Sequence, residues 1–105
     1  MPQFSVYQNP NPASRKAYPY LLDVQSDLLA GLRTTVVVPL APMKKGETQA
    51  IANLTPVVTV NGERYIALIQ LIAGVGREGL GRELGDLSSH RAEIVAAIDF
   101  MLAGI

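Results

Sequence analysis

Helical periodicity occurs in one long stretch of this chain, and that stretch comes last. From Ser88 to Ile105, apolar residues fall at Ile94, Val95, Ile98, Met101, Leu102 and Ile105, the three-and-four spacing of an amphipathic helix. A chain whose helix is terminal has no crossover helices to join parallel strands, so the strands before it are expected to pair antiparallel. Ser88 or Ser89 is placed to cap the helix start, without the Glu or Gln three residues later that completes a capping box. Leu87 precedes them as a hydrophobic staple. Gly104 stands where a helix C′ residue belongs. Spacing alone assigns Ile105 to the core; the alternative is an unprotected apolar end, because no polar residue follows Gly104.

The strands are read from alternation. Phe4-Ser5-Val6-Tyr7 is a short strand, and Gln8-Asn9-Pro10-Asn11-Pro12 is a loop with Arg15 and Lys16 beyond it. Tyr18, Tyr20, Leu22 and Val24 then alternate with Leu21, Asp23, Gln25 and Asp27, the pattern of a half-buried antiparallel strand with a mostly polar second face. Ser26-Asp27-Leu28-Leu29 ends that strand, and two adjacent leucines point to opposite sides, so one of them is expected in solvent. After the Ala30-Gly31 turn, Thr34-Thr35-Val36-Val37-Val38 forms a β-branched strand stopped by Pro39. Residues Ala41 to Ala52, with Pro42 and Lys44-Lys45-Gly46, read as a long loop or wing. Val57 to Val60, Asn61-Gly62, and Glu63 to Ile72 form a hairpin, since Asn and Gly both tolerate the positive φ of a type I′ turn. The glycines from Gly74 to Gly85 argue against regular strands there. The expected fold is mainly β (α+β): one domain over residues 1–105, a small antiparallel barrel or bent sheet packed by the terminal helix.

Composition narrows the function classes. Nine basic and nine acidic residues cancel, so no global field gathers nucleic acid. The absence of cysteine excludes disulfides and thiolate metal sites and fits a reducing compartment. A chain of 105 residues that is 49% hydrophobic and 17% charged has more apolar surface than so small a domain can hide, which implies a homodimer. No apolar run is long enough to span a membrane, and no secretory h-region opens the chain. A soluble cytoplasmic protein is expected.

Three motifs have a chemical reading. Gly74-Val75-Gly76-Arg77-Glu78-Gly79 matches the dinucleotide-binding pattern, but that unit needs a helix and then a second parallel strand, and only the terminal helix remains. A surface loop is the better account. His90, the single histidine, lies in the first helical turn beside Arg91 and Glu93 with no nucleophile assignable to it, and reads as a surface residue. Arg15-Lys16 and Lys44-Lys45 are too short for a nucleic-acid footprint.

Beyond these, the blocks Phe4-Ser5-Val6-Tyr7, Leu22-Asp23-Val24-Gln25-Ser26-Asp27, Val38-Pro39-Leu40, Pro56-Val57-Val58, Asp86-Leu87-Ser88 and the closing Gly104-Ile105 resemble, in order, the CcdB family of plasmid and chromosomal toxins. Asp23-Val24-Gln25-Ser26-Asp27 together with the terminal Gly-Ile carries the resemblance. It implies an SH3-like barrel with a terminal helix, dimeric and cytoplasmic, acting without cofactor, metal or catalytic residue as the toxin half of a toxin–antitoxin pair. Such proteins bind the A subunit of DNA gyrase and trap the enzyme on cleaved DNA. A CcdA-like antitoxin neutralises them through a disordered segment that folds on the toxin, and the complex represses its own operon, so that DNA is met only through antitoxin or gyrase.

Carried over by position, the gyrase-facing residues would be Ser26, Leu28 and Leu29 at the strand end, with Arg91, Asp99, Ala103, Gly104 and Ile105 on the helix. The chain departs from the family where Ala103 replaces a tryptophan, and where the Gly74–Gly85 stretch replaces a strand with a Val-Pro start. Two other readings stay open: a MazF-type endoribonuclease on the same barrel, which needs a basic groove and an Arg with a Thr or Ser partner, and an inert homologue that binds antitoxin only.

Overall fold

In the computed structural model, which describes residues 3–43 and 54–104, seven strands form one antiparallel sheet. They are β1 (Ser5–Gln8), β2 (Tyr20–Asp23), β3 (Thr34–Pro42), β4 (Val57–Val60), β5 (Glu63–Ala67), β6 (Ala73–Gly76) and β7 (Glu83–Asp86), followed by α1 (Arg91–Ala103). The strands run β4-β5-β3-β2-β1-β7, and β6 pairs with β3.

The long β3 shapes the sheet. One of its edges carries β2, with Leu22 opposite Val38. The other carries β6 along Thr34–Val37 and then β5 along Leu40–Pro42. Serving two partners on one edge bends the sheet into a half-barrel. Against expectation, β3 does not stop at Pro39. That residue has no N–H to give, but it falls at the handover between β6 and β5, where its carbonyl accepts from Leu68 N at 3.0 Å. Ala41 and Pro42 therefore belong to the strand, while the Lys44-Lys45-Gly46 stretch lies outside the described residues.

The hairpin forms as read, with Asn61 at φ 51° and Gly62 at φ 82°. Its second strand ends at Ala67, and Ile69–Leu71 makes a 3-10 turn that buries Ile69. The glycine-rich stretch supplies two strands, contrary to the sequence reading. Their ladder partners are remote: β6 pairs with β3 and β7 with β1. Gly81 has a packing reason, since a Cβ there would stand 2.6 Å from the Gln8 carbonyl oxygen that its own N–H bonds. After Gly76 comes a single 3-10 turn, Arg77–Gly79, and no helix, so the dinucleotide pattern has no dinucleotide-binding context.

One face of the sheet carries Val6, Leu22, Val38, Leu40, Val58 and Val60, all buried, and α1 closes it with Ile94 and Ala97. At about 100° per residue, Ile94, Ala97, Ile98 and Met101 share a face, whereas Leu102 lies about 80° round from Ile94. Leu102 is accordingly 76% exposed and not part of the anchoring stripe. The helix starts later than its periodicity, because Ser88–His90 is a 3-10 turn and His90 is the N-cap position without a side-chain cap. Neither serine caps it. Asp86 does the local work instead: the Ser88 hydroxyl and, at 2.7 Å, the Ser88 N–H both donate to its carboxylate, which holds its pKa below the usual carboxylate value. Leu87 is buried in the core and Gly104 ends the helix at φ 72°.

The second face of β2 differs from the solvated face expected. Asp23 is 1% exposed, between buried Tyr7 and Thr35, and the β1–β2 loop folds beside this face at Leu21 and Pro39. Among the described residues no helix is long and apolar enough to cross a membrane.

Candidate functional site

Three residues beyond the end of β2, the Ser26 hydroxyl oxygen accepts from Leu28 N at 3.2 Å and so caps the 3-10 turn Asp27–Leu29. Such a cap satisfies a backbone donor that the strand no longer bonds. Nothing in the turn is buried. Leu28 is 94% exposed and Leu29 46% exposed, so both adjacent leucines face solvent where one was expected. Leu32, next along, is also exposed. Three leucines on one short turn are an apolar display that a solvated surface does not need for its own stability.

The turn is tied to the helix start by Gln3. Its backbone N–H donates to Asp27 Oδ1 at 2.7 Å and its side-chain amide to the Val24 carbonyl at 3.0 Å, while its Oε1 accepts from Arg91 Nη1 at 3.1 Å. Arg91 also lies over the Phe4 ring, with Cζ 5.6 Å from the centroid. The structure thus joins Ser26, Leu28 and Leu29 to Arg91 through Gln3 and Phe4, two residues absent from the sequence-derived site. Position was the available signal, since Phe4 opens the first block of the resemblance and Gln3 adjoins it. Phe4's φ of 70°, which aims the chain into β1, has no sequence signature in a bulky residue.

The helix end lies apart from this cluster. Asp99 and Ala103, one turn apart on the solvent side of α1, are both exposed, and Gly104 is exposed beyond them. At 1.5 Å per residue, Ala103 lies about 18 Å along the helix from Arg91. Ile105 lies outside the described residues.

Other features offer less chemistry. His90 is half-buried, with Nδ1 3.5 Å from Glu93 Oε1 and no nucleophile beside it in the described contacts. Among the described residues no three of His, Cys, Asp and Glu group to hold a metal. A groove of about 510 Å³ runs between the β1–β2 loop and Val75–Gly79; Glu78 is its one charged lining residue among those described. Burial raises the pKa of Tyr65, which packs edge-on against Tyr20 at 5.1 Å and stays protonated.

Solved structures share this architecture. An endoribonuclease in complex with its cognate antitoxin, from mycobacterial species, superposes with a TM-score of 0.76 at 18% identity, covering 97% of this chain and 94% of the other. A second mycobacterial endoribonuclease gives 0.73 at 18% identity, over 97% and 90%. Likeness at that identity shows the fold. Membership comes from sequence: residues 3–104 match the family described as "CcdB protein", so that this chain belongs to the CcdB family, toxins of toxin–antitoxin pairs.

Proposed function

We propose that this protein is a gyrase poison: a homodimeric toxin that binds the A subunit of DNA gyrase and holds the enzyme on cleaved DNA, doing no chemistry itself. The observation that carries the reading is the Asp27–Leu29 turn, which spends its cap and the Gln3 bridge on presenting leucines to solvent. A toxin that acts by docking needs such a preformed apolar contact. In this reading Arg91 flanks the turn, and Asp99, Ala103, Gly104 and Ile105 supply the second contact from the helix end, where a small residue admits close backbone approach. Ala103 cannot stack on an arginine as the family tryptophan does, which removes on the order of 1 kcal/mol from the contact. The protein is therefore a weaker poison than tryptophan-bearing relatives. A CcdA-like antitoxin neutralises it and joins it in repressing their operon in the cytoplasm.

The endoribonuclease alternative has the neighbours' fold in its favour, and one pair of residue types it needs is present. Thr35 and Arg77 both engage Asp23. Thr35 is 1% exposed, however, and its hydroxyl is spent on the Asp23 carboxylate, so no RNA phosphate or ribose can reach it as the protein is folded. Among the described residues the groove beside it presents Glu78 and no lysine or arginine, the wrong sign for a phosphate backbone.

Expression in cells with wild-type and toxin-resistant gyrase separates the readings. Growth arrest relieved by resistant gyrase is expected. Arrest indifferent to the gyrase allele supports the nuclease, and no arrest supports an antitoxin-binding homologue.

A further inference from the structure

With Leu28 94% exposed and Leu29 and Leu32 about half exposed, packing does little to hold this turn, which contains no buried residue from Ser26 to Arg33. Its order rests mainly on hydrogen bonds. Those inside it are short-range: Leu29 N to Ser26 O, Ala30 N to Asp27 O and Leu32 N to Leu29 O. Among the described residues, the long-range ones at its far end come from Arg77. Arg77 donates its backbone N–H to Arg33 O at 2.9 Å and its Nε–H to Leu32 O at 2.7 Å, with Nη2 making a longer contact to Leu29 O at 3.5 Å.

The same guanidinium faces inward. Its Nη1 is buried, makes no hydrogen bond, and lies 3.8 Å from Asp23 Oδ2. Asp23, 1% exposed, spends its other oxygen on Thr35 Oγ1 at 2.8 Å and Gln25 N at 3.0 Å. A buried carboxylate needs a counter-charge, and among the described residues Arg77 is the one that supplies it. The planar fork suits both tasks at once: one edge meets the acid in the sheet while the rest reaches the turn's carbonyls.

We propose that Arg77 is a positioning residue for the leucine-bearing turn, with Asp23 as its buried anchor, so that the presentation of Leu28, Leu29 and Leu32 to a protein partner depends on a side chain that does not itself belong to the docking surface. The consequence for affinity rests on the reading that this turn docks on gyrase. The consequence for the turn does not.

The test uses the full-length protein and three variants: Arg77→Lys, the double variant Asp23→Asn with Arg77→Met, and Leu28→Asp as a reference for docking. The double variant removes the buried charge along with the guanidinium, and the amide oxygen that replaces the carboxylate can still accept from Thr35 and Gln25, so the sheet is retained. Amide hydrogen exchange is read at Leu29, Ala30 and Leu32 against Val24, whose N–H bonds Val36 O within the sheet. In the double variant the turn amides are expected to exchange at least tenfold faster with Val24 unchanged, and binding to the purified gyrase A subunit to weaken at least tenfold. Arg77→Lys is expected to keep the thermal midpoint through its charge yet loosen the turn, because an ammonium cannot span acid and carbonyls together. Unchanged turn exchange in both Arg77 variants overturns the positioning role. If Leu28→Asp weakens gyrase binding and the double variant does not, positioning is irrelevant to docking and the proposal falls. If Leu28→Asp leaves binding intact, the gyrase reading of this turn has failed, and faster exchange at the turn alone upholds the role of Arg77.

Discussion

Arg91 sets its guanidinium over the ring of Phe4, Cζ 5.6 Å from the centroid, and so joins the first turn of the helix to the entry of the first strand. Its Nη1 donates to Gln3, which holds Asp27, so one cation borders both the core edge and the leucine turn. Arg91 is exposed, and an exposed cation–π contact with one side-chain hydrogen bond contributes about 1 kcal/mol. Arg91→Ala is expected to lower the urea midpoint only slightly while weakening gyrase binding. A collapse of stability would make Arg91 a structural residue.

Leu28→Asp is the sharpest surface test. At 94% exposure the leucine has little to lose on folding, and substitutions at such sites change stability by about 0.5 kcal/mol or less. Gyrase–DNA cleavage by the variant is expected to disappear with its melting temperature within a few degrees of wild type. Leu29→Asp, at 46% exposure, should lose activity too but with a larger drop in the melt.

Removal of Gly104 and Ile105 probes the helix end. The Gly104 N–H bonds Phe100 O, and Ile94 and Ala97 anchor the helix well upstream. The last carbonyls of a helix lack helical partners in any case, so the truncation should cost about 1 kcal/mol or less. Loss of toxicity with retained antitoxin binding is expected from growth assays and titration. An unfolded product would place Ile105 in the core.

A homodimer is expected from an apolar composition joined to exposed Leu71 and Leu102. Sedimentation at micromolar concentration should give about twice 11.3 kDa, and a monomer would refute it.

The Asp86 carboxylate, bonded by Ser88, is held below the ordinary aspartate pKa in the folded protein. A depressed acid stabilises fully above its unfolded pKa and loses that contribution as pH falls through the folded value. Asp86→Ala should therefore lower the urea midpoint at pH 7, with the gap to wild type narrowing below about pH 4.

Features with local causes were legible in the chain itself. The Asn61-Gly62 turn follows from two residues that accept positive φ, and the terminal helix with its Gly104 end follows from periodicity and a missing Cβ. The exposed turn after β2 was legible in outline, since adjacent leucines at a strand end cannot both turn inward. Family membership was likewise written in short blocks spread over residues 3–104.

What the tertiary structure decided depended on remote partners. Ala73–Gly76 and Glu83–Asp86 become strands because β3 and β1 offer them ladders, an advantage that outweighs the poor propensity of glycine. Proline is tolerated inside β3 because its missing donor falls between two neighbours. Asp23 has the spacing of a solvated residue, yet it is buried because Thr35 and Arg77 converge on it from segments that touch only in the folded sheet. Alternation assigns a residue to a face, but whether that face is wet depends on what folds over it, and no local pattern carries that information.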